Sequence, residues 1–222
     1  MVDTLSNAVG STTNTLTIPG WFMTETGGGA SDNEQYAVDF GNSSTGDTYS
    51  YAAVGSTERA LGGLRSGTLI PDFGACFTNN AGSTITNLTV AHTGEEWRLG
   101  TPARTGQLNF ECSTNATDLT IGTWTNVAAL KFVTPHVFAS GAKNGNDAAD
   151  RTPLSSTIAS LSIANSGAFW IRWTDINANG AADDGVAVDD FSLTPSNAGP
   201  VELMDFGIEQ RLEAPHLSAE SV

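Results

Sequence analysis

"FWIRWTDINANGAADDGVAVDDFSLTP" (residues 169–195) holds two strand-like runs around a polar centre, and the parity of those runs sets the fold. In the first run Phe169, Ile171 and Trp173 fall on one side of an extended chain, while Trp170 and Arg172 fall on the other. In the second, Val186 and Val188 share a side, but Phe191 and Leu193 have the opposite parity. Keeping all four in one core requires an extra residue, which places a β-bulge at Asp189-Asp190. Strands with one apolar face and polar turns between them build antiparallel sheets that must cover each other.

The same texture runs outward through the chain. Short β-branched and aromatic runs recur between Gly, Asn, Asp and Ser clusters: "TNTLTI" (13–18), "QYAVDF" (35–40), "TYSYAAV" (48–54), "ERAL" (58–61), "GACFTN" (74–79), "STITNLTVAHT" (83–93), "QLNFECS" (107–113), "AALKFV" (128–133) and "STIASLSI" (156–163). With the two runs above this predicts an all-β, antiparallel two-sheet β-sandwich of jelly-roll type with about eleven strands. Leu108, Phe110 and Cys112 share a face and join Phe169, Ile171 and Trp173 in the expected core. After Pro195 the alternation stops, so the reading divides the chain into a sandwich (1–195) and a C-terminal extension or linker (196–222).

Composition limits the partners. The chain has 222 residues, a net charge of −15 and only two lysines among nine basic residues. No basic stripe exists to neutralise phosphates, which argues against nucleic acid. No apolar run approaches the ~18 residues of a spanning helix, which argues against helical membrane insertion. The acidity suits a solvated extracellular surface or divalent cations. Cys76 and Cys112 form either one disulfide or a pair of buried thiols.

The polar centre of the opening stretch carries the sharpest signal. Asp175, Asn177, Asn179, Gly180 and Asp183 match the D-x-[DN]-x-[DN]-G half of a calcium loop, with the Ala181 carbonyl as a further oxygen. Val186 stands where an EF-hand carries glutamate, so a remaining ligand must come from Asp189 or Asp190 through the bulge. The expected cofactor is Ca²⁺. A plain polar turn remains the alternative, because Asp, Asn and Gly are also the commonest turn formers.

Catalytic constellations are weak. His92, His136 and His216 have no zinc-ligand spacing, and no G-x-S-x-G turn or phosphate loop occurs. A hydrolytic carboxylate pair drawn from Glu34, Glu58, Glu95, Glu96 and Glu111 stays open as a minor alternative. Aromatics suit sugar stacking better. Trp124 in a turn-like setting, Trp170 beside Arg172, and Tyr49 with Tyr51 on one strand face are the candidate ligand-binding residues.

The phrases "STERALGGLRSGTL", "NNAGSTITNLTVAHTGEEWRLG", "DLTIGTWTNVAALKF" and residues 169–195 together resemble a β-sandwich module of secreted bacterial multidomain surface proteins. Such jelly-roll modules accompany lamin-tail or nuclease domains and surface-anchoring segments, and "GPVELMDFGIE" (199–209) is similar to the segment that follows them. The resemblance implies a non-catalytic module that is secreted, extracellular or at the cell surface. Its expected role is binding or adhesion to a polysaccharide or other glycan. With the sequence ending soon after that segment, the rival expectation is a self-assembling filament or matrix subunit that donates residues 1–18 or 196–222 to a neighbouring sheet edge.

Overall fold

The computed structural model describes residues 15–177 and 181–196. Its first strands are β1 (Trp21–Thr26), β2 (Tyr36–Asp39), β3 (Asp47–Tyr51), β4 (Ala60–Leu64), β5 (Ile70–Thr78), β6 (Asn87–Leu99) and β7 (Gln107–Ser113). They are followed by β8 (Thr125–Asn126), a 3₁₀ turn (Ala128–Leu130), β9 (Phe132–Val133), β10 (Gly141–Ala142), β11 (Arg151–Ile158), β12 (Ala168–Ile176) and β13 (Gly185–Ser196). No helix among the described residues is long and apolar enough to cross a membrane.

Two sheets result. One runs β1-β5-β12-β7-β8 with β9 also on β7; the other runs β10-β6-β13-β4-β3-β2 with β11 also on β6. Pairing is antiparallel except between β2 and β3, which are parallel. Phe73 and Phe77 from β5, Phe110 from β7, and Phe169, Ile171 and Trp173 from β12 face Leu88 and Val90 of β6 and Val186 and Val188 of β13 across the core. Trp173 is its centre, stacked on Trp21 at 5.8 Å and meeting Phe110 edge-on at 5.2 Å.

The bulge lies where parity required it. The β13–β6 register shifts between Asp189 and Ser192, and Asp190 takes the left-handed φ of 51°. Phe191 and Leu193 thereby pack against the same core as Val186 and Val188.

Three expectations need correction. β1 begins only at Trp21, after the Pro19-Gly20 turn, so the run expected at 13–18 is not a strand over its described part. β6 continues past His92 to Leu99, and β11 lies at 151–158 rather than 156–163. The cysteines are both free thiols. Cys76 is opposite Trp170 and Cys112 opposite Ile171, so the two side chains leave opposite faces of the six-stranded sheet and no bridge can form. The terminal segments expected to donate strands lie almost wholly outside the described residues, as does the C-terminal extension beyond Ser196.

A second, smaller apolar cluster sits on the outer face of the seven-stranded sheet. Tyr49, Tyr51, Ala60, Leu64, Trp97 and Ala187 form it, with the Tyr51 and Trp97 rings stacked at 5.6 Å. The loop after β10 covers it. A Cβ at Gly145 would come within 2.4 Å of Trp97 Nε1, so glycine alone permits this approach.

Candidate functional site

Three regions concentrate polar side chains in ways that the core does not explain. The first is the acidic loop between β12 and β13. Asp175 and Asp183 are both buried, and burial first, then the charge of Asp183, pushes the Asp175 carboxyl well above the usual range. Arginines face the pair. The Arg65 amide donates to Asp175 Oδ2 at 3.3 Å, the Arg65 guanidinium donates to the Asp175 carbonyl at 2.8 Å, and Arg104 Nη2 lies 3.6 Å from Asp183 Oδ1. A cavity of about 140 Å³ opens here beside Arg65, Arg98 and Asp183. Asn177 is half-buried and Ala181 exposed, while Asn179 lies outside the described residues.

Asp184, which the loop spacing left out, is held by three donors. It accepts from the Gly100 amide at 2.8 Å, the Gly106 amide at 2.9 Å and the Thr134 hydroxyl at 3.0 Å. It ties the loop to the β6–β7 connection and to the residue after β9, a structural role.

Asp189 and Asp190 do not complete this loop, which corrects the expected ligand set. Asp189 stands four residues into β13, about 13 Å along the strand from its start. The left-handed turn at Asp190 directs its carboxylate to the Thr93 hydroxyl, which donates to it at 3.1 Å.

The second region is where Asp189 does go. One carboxylate oxygen from each of Glu58, Glu95 and Asp189 lies within 4.8 Å of the others, on the outer face of the seven-stranded sheet beside Trp97. Glu95 is 0% exposed; its Oε2 accepts from Trp97 Nε1 at 2.8 Å, and its Oε1 has no hydrogen-bond partner among the described residues. Burial first, then the charges of Asp189 and Glu58, pushes the Glu95 carboxyl up to about 8. Glu58, at the exposed rim, accepts from the Asn146 amide and lies beside the Asp189 carboxylate. Desolvation first, then the adjoining Asp189 carboxylate, raises it to about 7.

The third region is the outer face of the six-stranded sheet. Phe22, Gly74, Arg172 and Glu111 form one cross-strand row over β1, β5, β12 and β7. Arg172 donates from Nε to Glu111 Oε2 at 2.7 Å and from Nη1 to the Leu119 carbonyl, which fixes the loop before β8 onto the sheet. Beside the row lies a groove of about 300 Å³ lined by Phe22, Thr24, Glu34, Asp118, Thr120 and Trp170. Phe22 is 43% exposed and rests on Trp170, the ring centroids 4.9 Å apart. Glu34 accepts from the Thr24 hydroxyl at 3.1 Å, and Asp118 from the Thr120 hydroxyl at 2.8 Å. Those Thr120 bonds hold Asp118 below the usual carboxylate range.

The aromatic expectations therefore divide. Tyr49 and Tyr51 share a face as expected, but that face is the buried second cluster, so they offer no platform. Trp124 is half-buried with the Arg172 guanidinium 4.2 Å from its ring centroid, which covers one of its faces. Trp170 is only 8% exposed and supports Phe22 from below. Phe22, hidden from the sequence reading by the misplaced first strand, is the exposed ring. Of the acids considered for hydrolysis, Glu95 and Glu96 are 0% exposed and Glu111 is engaged by Arg172.

No family model matches the chain, and no curated protein matches it in sequence. Among solved structures it is similar to TmCBM61 in complex with β-1,4-galactotriose, at 12% identity and TM-score 0.38, covering 68% of this chain and 86% of that one. It is similar also to a CBM4 structure, at 14% identity and TM-score 0.41, over 82% and 92%. A third likeness is to the enzymatically active domain of tailspike protein 4 of bacteriophage CBA120, at 10% identity and TM-score 0.40; it covers 87% of this chain but 21% of that one.

Proposed function

We propose that the chain is a non-catalytic, extracellular β-sandwich module that binds a glycan across the outer face of its six-stranded sheet. The observation that carries this is the Phe22–Trp170 pair on the groove floor, with hydroxyls and carboxylates around it. A pyranose offers an apolar C–H face and a rim of O–H donors. Phe22 supplies a flat apolar partner whose orientation Trp170 fixes, and the carboxyl oxygens of Glu34 and Asp118 supply acceptors for hydroxyl protons. At about 300 Å³ the groove is at the small end of ligand sites, with space for a short stretch of chain. The ring stands on a strand rather than a loop, so little ordering accompanies binding. Glu95 and Glu96 are sealed from any substrate, which supports binding over hydrolysis.

Affinity electrophoresis against a panel of neutral and acidic polysaccharides tests this. At least one should retard the protein, and Phe22→Ala should weaken that retardation about tenfold, equivalent to ~1.4 kcal/mol. Val54→Ala, an exposed apolar residue away from the groove, should bind like the parent. Absence of retardation by every polysaccharide, or equal retardation of the Phe22→Ala protein, would remove the proposal.

A further inference from the structure

The second region, Glu58, Glu95 and Asp189, performs no task in glycan binding, and its composition is difficult to account for by stability alone. Three carboxylates converge from the approach to β4, the middle of β6 and the bulged part of β13. Placing a fully buried carboxylate beside two others is unfavourable unless charge and lone pairs are compensated. Among the described residues, one of the oxygens at this cluster stays without a partner. Trp97 satisfies Oε2 of Glu95, but Oε1 is fully enclosed and without a hydrogen-bond partner among the described residues. Arg151, opposite Glu95 on β11, offsets part of its charge. Glu58 and Asp189 each bring a carboxylate oxygen within 4.8 Å of the Glu95 carboxylate.

We infer that Glu58, Glu95 and Asp189 bind a divalent cation, Ca²⁺, which pins β4, β6 and β13 together on the outer face of the seven-stranded sheet. All the available donors are oxygens, which selects a hard ion over zinc or copper. Two oxygens on opposite sides of a calcium ion, each at 2.3–2.6 Å, stand about 5 Å apart, so separations within 4.8 Å fit one coordination shell. Magnesium at 2.0–2.1 Å would need a tighter cluster. Asn146, whose amide already reaches Glu58, offers a fourth oxygen if its two amide atoms exchange places. The bulge has a purpose on this view: it lets Phe191 stay with the core while Asp189 stays on the outer face with Glu95.

Trp97 provides the probe. Its ring nitrogen is bonded to a proposed ligand, so terbium(III), a hard ion that substitutes for Ca²⁺, would be sensitised by indole excitation at this site. The intact protein should show terbium luminescence that Ca²⁺ displaces, and calorimetry should give one Ca²⁺ per chain. Glu58→Gln and Asp189→Asn should each weaken Ca²⁺ at least tenfold; Glu58 lies at the exposed rim, so its variant keeps the fold. Asp175→Asn, in the arginine-faced loop, should bind Ca²⁺ like the parent. Three results would each overturn the inference: no Ca²⁺ binding by the folded parent, binding unchanged in both cluster variants, or loss in Asp175→Asn with retention in Glu58→Gln. Because Phe22 belongs to the other sheet, this outcome is independent of any polysaccharide result.

Discussion

His92 gives the sandwich a built-in sensitivity to acid whose size can be worked out. It projects from β6 into the core, 2% exposed, with Trp173 edge-on at 5.4 Å and Phe110 stacked at 6.1 Å. Its Nε2 donates to the Leu130 carbonyl at 3.0 Å, a bond the neutral ring makes with the proton on that nitrogen. Burial pushes its pKa down from 6.5 to about 4. Between those values the unfolded chain binds a proton that the folded chain refuses, so stability falls as pH falls. From pH 7 to pH 5 the loss is about 2 kcal/mol, with most of the full shift already expressed by pH 5. Buried carboxylates such as Glu96, raised to about 7 by burial, act in the opposite direction because the folded state binds their proton more readily. A comparison with His92→Phe cancels them. Phenylalanine fits the aromatic surroundings and leaves Leu130 without its donor, a penalty that does not depend on pH. In urea melts the parent should exceed the variant at pH 7 by about 2 kcal/mol more than at pH 5. A parent–variant difference that stays constant over this range would refute a buried neutral histidine.

Two further perturbations test the loop and the sheet register. Asp184→Asn replaces one accepting oxygen with an NH₂ group that must face the Gly100 or Gly106 amide, donor against donor, and should cost about 2–3 kcal/mol in urea melts; a loss under about 0.5 kcal/mol would mean that the loop is not anchored there. Reductant should leave the melting temperature unchanged, and thiol titration of the native protein should label the partly exposed Cys76 well before the buried Cys112; a reductant-sensitive melt would mean that the β5–β12–β7 register is wrong.

What the sequence made legible follows the range of each interaction. Alternation is a property of adjacent residues, so Leu108, Phe110, Ile171 and Trp173 could be assigned to the core, and the parity break between Val188 and Phe191 marked the bulge. β1 was obscured because its inward set is Trp21, Met23 and Glu25. Glu25 breaks the apolar pattern, yet it is buried, accepting from the amides of Asn33, Glu34 and Thr48. With β1 went Phe22, and so the one exposed ring of the groove. The strand run expected at 83–93 stopped short of Glu95-Glu96, yet both lie within β6, one on each face, Glu95 held by the Trp97 ring nitrogen two residues on and Glu96 by the His136 amide. The local spacing D-x-N-x-N-G drew the cation reading to residues 175–183 for the same reason that it was visible: its donors are neighbours in sequence. Glu58, Glu95 and Asp189 share no spacing at all. Their meeting depends on β13 lying between β4 and β6, a fact of sheet order that alternation does not encode. A sequence sign did exist in the bulge, since a parity break at two aspartates leaves one carboxylate on the outer face. Identifying what that carboxylate meets required the neighbouring strands.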